Sequence, residues 1–171
     1  GAYGVAGAPN YAGSSLKHCM NATVCLPLVD KKSYMGGGGG GAGTSAAGGT
    51  GGGIVIFFAR SITGSGTLTV SSNGADGNAG SVSSGGGAGG SIGFYNQSNS
   101  VSTANFYAKG GNAPSATING GGGGGGVINI IRCEPNYATT NTTSVVAGTG
   151  GAGATSGVVS VVHDAMACSV P

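Results

Sequence analysis

Apolar residues gather along the chain into short runs, and glycine, serine and threonine fill most of the space between them. Four runs align on their first residue: Ile54-Val55-Ile56-Phe57-Phe58, Ser91-Ile92-Gly93-Phe94-Tyr95, Val127-Ile128-Asn129-Ile130-Ile131 and Val158-Val159-Ser160-Val161-Val162, starting 37, 36 and 31 residues apart. A second run follows each of the first three, at Thr67-Leu68-Thr69-Val70, Thr103-Ala104-Asn105-Phe106 and Thr143-Ser144-Val145-Val146. Short stretches rich in β-branched and aromatic residues, bounded by turn formers, predict strands. No stretch carries a capped apolar stripe with the 3.6-residue period, so essentially no helix is expected. Self-similarity at a period of 20–50 residues marks stacked repeats. The expected fold is all-β, either a β-solenoid or a β-sandwich with glycine-rich connections, with the four first runs as neighbours in one sheet.

Strand side chains alternate between faces. The second and fourth positions of the first runs are Val55 and Phe57, Ile92 and Phe94, Ile128 and Ile130, Val159 and Val161, all apolar. These form the expected core. The outer positions are also apolar in three of the four runs: Ile54 with Phe58, Val127 with Ile131, Val158 with Val162. A strand apolar on both faces is expected to be buried on both. These six residues are therefore candidates for contact with the glycine layer or with another subunit.

Glycine accounts for 41 of the 171 residues, and much of it precedes the first runs, as in Gly36–Gly41, Gly51–Gly53, Gly85–Gly90 (interrupted by Ala88) and Gly120–Gly126. Ordering such segments carries a large entropy cost. With no side chains, however, they can form polyproline II-like rods that approach one another closely. Their buried N–H and C=O groups then need partners, and neighbouring rods are the natural source.

Composition alone would permit disorder, but 39% of the chain is hydrophobic and only 6% is charged, opposite to the disordered signature. A net charge of +2 is too sparse for a nucleic-acid footprint. So little surface charge is unusual for a free monomer and points to assembly. No apolar run reaches the roughly 18 residues of a membrane helix.

Residues 1–35 stand apart from the repeat region 36–171. They hold Lys17, His18, Lys31 and Lys32, and no glycine block occurs before Gly36. They are read as an arm or cap, with a candidate strand at 23–29. Val24, Leu26, Leu28 and Val29 would insert into a neighbouring subunit, with Pro27 confining the segment to a sheet edge. The chain opens at Gly1 with neither methionine nor signal peptide, as a processed form or a fragment would.

The four cysteines permit three pairings. The expected bonds are Cys19 to Cys25, closing a short loop, and Cys133 to Cys168, joining the ends of successive strands. Asn21, Asn96 and Asn141 open glycosylation-type triplets. Together these features favour an oxidising exterior.

Chemistry has few candidates. His163 and Asp164 are adjacent, so on a strand they point to opposite faces and cannot act as base and orienter. The glycine blocks lack the Lys-Ser or Lys-Thr and the helix start of a phosphate loop. Asn73-Gly74-Ala75-Asp76-Gly77-Asn78 holds a single aspartate where calcium turns repeat theirs, and is read as an ordinary turn. His18-Cys19 with Cys25 fits no strong zinc spacing. Phe106-Tyr107-Ala108-Lys109 could stack on sugars, or simply pack. No cofactor, metal site or enzymatic activity is expected.

The stretch from Gly48 to Gly74, a glycine block followed by Ile-Val-Ile-Phe-Phe-Ala and Ser-Ile-Thr-Gly-Ser-Gly-Thr-Leu-Thr-Val-Ser-Ser-Asn-Gly, resembles the glycine-rich repeats of phage tail-fibre and cell-surface adhesin proteins. The resemblance covers roughly residues 36–164. It implies a structural fibre or a receptor-binding adhesin, with glycine rods sandwiched into a lattice. The expected function is thus a structural subunit that self-assembles with its own copies into an extracellular filament, fibre or virion surface structure. The alternative is an adhesin at a cell or virion surface that binds a receptor or glycan.

Overall fold

The computed structural model describes residues 35–41, 47–80, 82–99, 101–115, 120–132, 140–150 and 154–163, together with the backbone of a short hairpin, β1 (Cys19–Asn21) and β2 (Val24–Cys25). The described residues are all-β, with no helix. Beyond the hairpin, strands β3 (Ile54–Ile62), β5 (Ser91–Asn99), β7 (Val127–Arg132) and β9 (Val158–His163) form one four-stranded sheet. Strands β4 (Thr67–Ser71), β6 (Thr103–Tyr107) and β8 (Thr140–Ser144) form a second sheet of three. From β3 to β9 the chain alternates between the sheets, and every pairing within them is parallel. Neither sheet closes on itself.

The four first runs are neighbours, in the order β3-β5-β7-β9. Ile54, Ser91, Val127 and Val158 lie in one column, and Phe57, Phe94, Ile130 and Val161 in another. The second sheet corrects one expectation. Its last strand was expected at 143–146, where the valines are. Instead Thr103 pairs with Thr140 and Phe106 with Thr143, so the strand starts three residues earlier. The step from β4 to β6 is 36 residues and that from β6 to β8 is 37. Constant register outranks local hydrophobicity here, because a parallel ladder aligns equivalent residues whatever their side chains.

The sheets meet through alternate residues. Ile92, Phe94, Ile128 and Ile130 from the first join Val70, Ala104 and Phe106 from the second in one buried cluster, flanked by Val55, Leu68 and Val159. Phe94 and Phe106 touch edge-to-face, with ring centroids 4.9 Å apart. Burying an aromatic side chain of this kind stabilises by about 1.5–3 kcal/mol, and the ring pair adds about 0.5–1.5 kcal/mol. The inner strands β5 and β7 are buried on their other face too, at Ser91, Gly93, Val127 and Asn129.

The glycine-rich segment 85–90 bonds through its backbone in three directions in turn. Within 85–90, the N–H groups of Gly85 and Ala88 donate to the carbonyls of Gly40 and Gly37. Those of Gly86 and Gly89 donate to Gly121 and Gly124, and those of Gly87 and Gly90 to Ala75 and Ser72. All six bonds are 2.8–3.0 Å long. The same segment accepts from Gly49, Gly52, Gly111 and Val127. Residues 83–90 are all buried, and the donors of 85–90 have their partners, as buried backbone groups require. Contact is so close that a methyl group on Gly87 would overlap the carbonyl oxygen of Thr50, and one on Gly86 that of Gly111.

Gly87→Ala is therefore expected to destabilise the protein by about 3 kcal/mol or more, since rigid backbone surrounds the added carbon. Gly66→Ala meets nothing within 4 Å and should stay within about 0.5 kcal/mol of the parent. Paired thermal or chemical unfolding curves check this. Equal effects at the two positions would refute the close-contact account.

Candidate assembly surface

The two edges of the four-stranded sheet differ from its interior. On β3, Ile54, Ile56, Phe57 and Phe58 are all exposed, Ile56 at 52% and Phe58 at 74%. At the opposite edge, Val161 on β9 is 47% exposed. Val146, just beyond β8, is exposed as well. Among the described residues, β3 has β5 as its only neighbour and β9 has only β7. The exposed aromatics of β3 stack inward on their column partners: Phe57 lies 5.5 Å from Phe94 and Phe58 lies 4.3 Å from Tyr95, with nearly parallel planes. Among the described residues, no ring stacks on their outer faces.

Of the expected assembly residues, Ile54 and Phe58 are at the surface. Val127 is not: on the inner strand β7 it is 1% exposed, buried on the outer face as expected of a strand apolar on both faces, so only its candidacy for a subunit surface is corrected. Ile131, also on β7, is half-buried. Val158 and Val162 take their places in the β9 register, but their side chains are outside the described residues. Leu26, Leu28 and Val29, and the side chain of Val24, lie outside them too. Two exposed residues, Phe57 and Val161, were expected in the core. They point to the core face, but each lies on an edge strand, and strand order cannot be read from alternation.

Cys19 stands directly opposite Cys25 across the antiparallel pair β1–β2. Residues so placed have Cα atoms about 4.5–5.5 Å apart, within the span a disulfide can bridge. Their sulfur atoms, and Cys133 and Cys168 entirely, lie outside the described residues. Asn96 is 4% exposed on β5, between Ala59 of β3 and Arg132 of β7. The folded chain offers no room for a glycan there, so that expectation is corrected. Asn21 and Asn141 have their backbones in β1 and β8, with side chains outside the description.

A set of side-chain bonds not foreseen from the sequence ties together residues one period apart. Asn73 Oδ1 accepts from the Lys109 N–H at 2.8 Å, and Asp76 Oδ1 from the Asn112 N–H at 2.5 Å. Asn112 Oδ1 in turn accepts from the N–H and hydroxyl of Thr149, at 2.8 and 3.0 Å. The Ser83 hydroxyl accepts from the Gly120 N–H at 2.7 Å. Every one of these spans 36 or 37 residues. A signal was present in Asp76, Asn112 and Thr149, polar residues repeating at the strand period, but within one segment Asn73 and Asp76 look like turn formers. The Lys109 ammonium sits 4.7 Å from the Tyr107 ring centroid, a cation–π contact within the chain.

No family model, curated protein or solved structure matches the chain.

The contrast between interior and edge aromatics has a measurable form. Phe94→Ala should cost about 3–5 kcal/mol through its buried cavity, whereas Phe58→Ala should cost about 1 kcal/mol or less. Equilibrium denaturation of the two variants measures the difference. A large loss from Phe58→Ala would mean that its exposed ring supports the fold itself.

Proposed function

We propose that this chain is a structural subunit that self-assembles into an extracellular filament, fibre or virion surface structure. In this reading the alternating strands are successive coils of a stacked β-solenoid. The glycine segments are polyproline II-like rods packed side by side, a reading that the three-way bonding of residues 85–90 supports, since that helix has three residues per turn. The observation that carries the proposal is the exposure of large apolar residues on both edge strands of one sheet. Contiguous apolar surface on a chain with so little charge favours burial against another molecule.

Electron microscopy of the purified protein tests it. Long, unbranched polymers are the expected result. Monodisperse monomers or trimers that attach to cells or glycans would overturn it in favour of an adhesin.

The proposed setting is oxidising, and disulfides join Cys19 to Cys25 and Cys133 to Cys168. The backbone pairing of β1 with β2 supports the first of these. Non-reducing peptide mapping is expected to recover both bonds, and four free thiols or crossed pairs would refute the assignment.

A further inference from the structure

Resting on the proposal that the chain polymerises, we infer that the partner surface is the chain's own opposite end. The outer edge of β3 in one copy pairs with the outer edge of β9 in the next, and the parallel sheet runs on through both.

The geometry of a parallel ladder carries this inference. Strands β3, β5, β7 and β9 share one direction and one register. Each inner strand presents one edge to the strand before it and the other to the strand after. The edge of β3 that is unpaired among the described residues therefore has the form that β5 and β7 offer to their preceding neighbours. The edge of β9 that is unpaired among them has the form that β5 and β7 offer to their following ones. The two edges are complementary because the sheet itself is built from that pairing. Continuing the columns sets Ile54 beside the next copy's Val158, Val55 beside Val159, Phe57 beside Val161 and Phe58 beside Val162. The uncovered faces of Phe57 and Phe58 would then lie against valine, as Phe94 and Tyr95 already lie beside Ile130 and Ile131.

The edges carry little of the usual protection against such pairing. Soluble proteins guard exposed edges with proline or with charged side chains, lysine above all. β3 and β9 contain no proline, lysine, aspartate or glutamate, and Arg60 of β3 is their one arginine. The contact joins two different surfaces and continues the sheet by stepping along it, so it repeats without closing and gives an open polymer. The second sheet has three strands to the first sheet's four. The seam consequently leaves one strand's width between β8 of one copy and β4 of the next.

The test uses two full-length variants, each blocking one end. Ile56→Lys with Phe58→Lys alters the β3 edge, and Val161→Lys alters the β9 edge, all at exposed positions. Each variant alone should stay unpolymerised to at least tenfold above the wild-type critical concentration. Mixed in equal amounts, they should form a discrete dimer through the one pair of intact ends, seen by analytical ultracentrifugation. That dimer also shows that both variants are folded. Normal polymers from either variant, or a mixture of folded monomers that do not pair, would overturn the inference. Polymerisation that survives both variants but is lost on deleting residues 1–35 would overturn it in favour of an arm.

Should either variant fail to fold, fibre diffraction of wild-type polymers decides the question. Four strands spaced about 4.8 Å apart give a rise of about 19 Å per subunit. A clearly different rise would overturn end-to-end pairing. If the wild-type chain forms no polymer at all, the proposed function itself fails, which is a distinct result from wild-type polymers that ignore the edge variants.

Discussion

The backbone hydrogen bonding of the glycine segments is the constraint on which the rest of the structure depends. A residue with no side chain can bring its backbone into direct contact with another backbone on every side. Residues 85–90 do this, donating in three directions and accepting from further segments, with no water and no side chain between. Around them, an added carbon at Gly86, Gly87, Gly89 or Gly90 would strike a neighbouring main-chain atom. The glycines are therefore the packing material of this part of the molecule, and the strands are set by where it ends: Ile54, Ser91 and Val127 each follow directly on a glycine.

Magnitudes indicate how the labour is divided. Ordering a residue's backbone costs about 1–2 kcal/mol, and more for glycine, while a hydrogen bond returns about 0.5–1.5 kcal/mol net. The glycine segments thus come close to balance at best and supply little surplus stability. The surplus comes from the side chains between the two sheets, above all Phe94, Phe106, Ile92, Ile128 and Ile130. Side-chain bonds such as Asp76 to Asn112 and Asn112 to Thr149 add alignment at the surface. Glycine provides the spacing, the apolar cluster provides the stability, and each depends on the other for its geometry.

Much of the fold was legible because strand chemistry is concentrated in a few runs. The starts at Ile54, Ser91, Val127 and Val158, their common sheet and the alternation that makes Phe94 and Ile130 core residues all follow from branched and aromatic side chains between glycines. The third short strand was misplaced because Val145 and Val146 are more strand-like than Thr140 and Thr142, and composition does not report register. Exposure was the least legible property. Phe57 and Phe94 occupy equivalent positions, yet one is at an edge and the other in the middle of the sheet. Likewise Val127 resembles Ile54 as a sequence position and differs from it only in having neighbours on both sides. Asn96 opens an acceptable sequon, and only the flanking strands show that it is enclosed.

The period-three bonding of residues 85–90 has a further consequence. Moved along its axis by one turn, a pure glycine rod would meet its neighbours with the same contacts. Such a segment carries no positional information of its own, and the phase between neighbouring strands must come from features that cannot slide, such as the stacked Phe57–Phe94 and Phe58–Tyr95 pairs. It follows that insertion or loss of glycine codons is not uniformly harmful in this architecture. A change of three residues preserves the direction in which every donor points, and what it alters is the length of the segment and the start of the strand that follows. A change of one or two turns each remaining donor away from its acceptor. The geometry would sort changes in glycine number by their remainder on division by three.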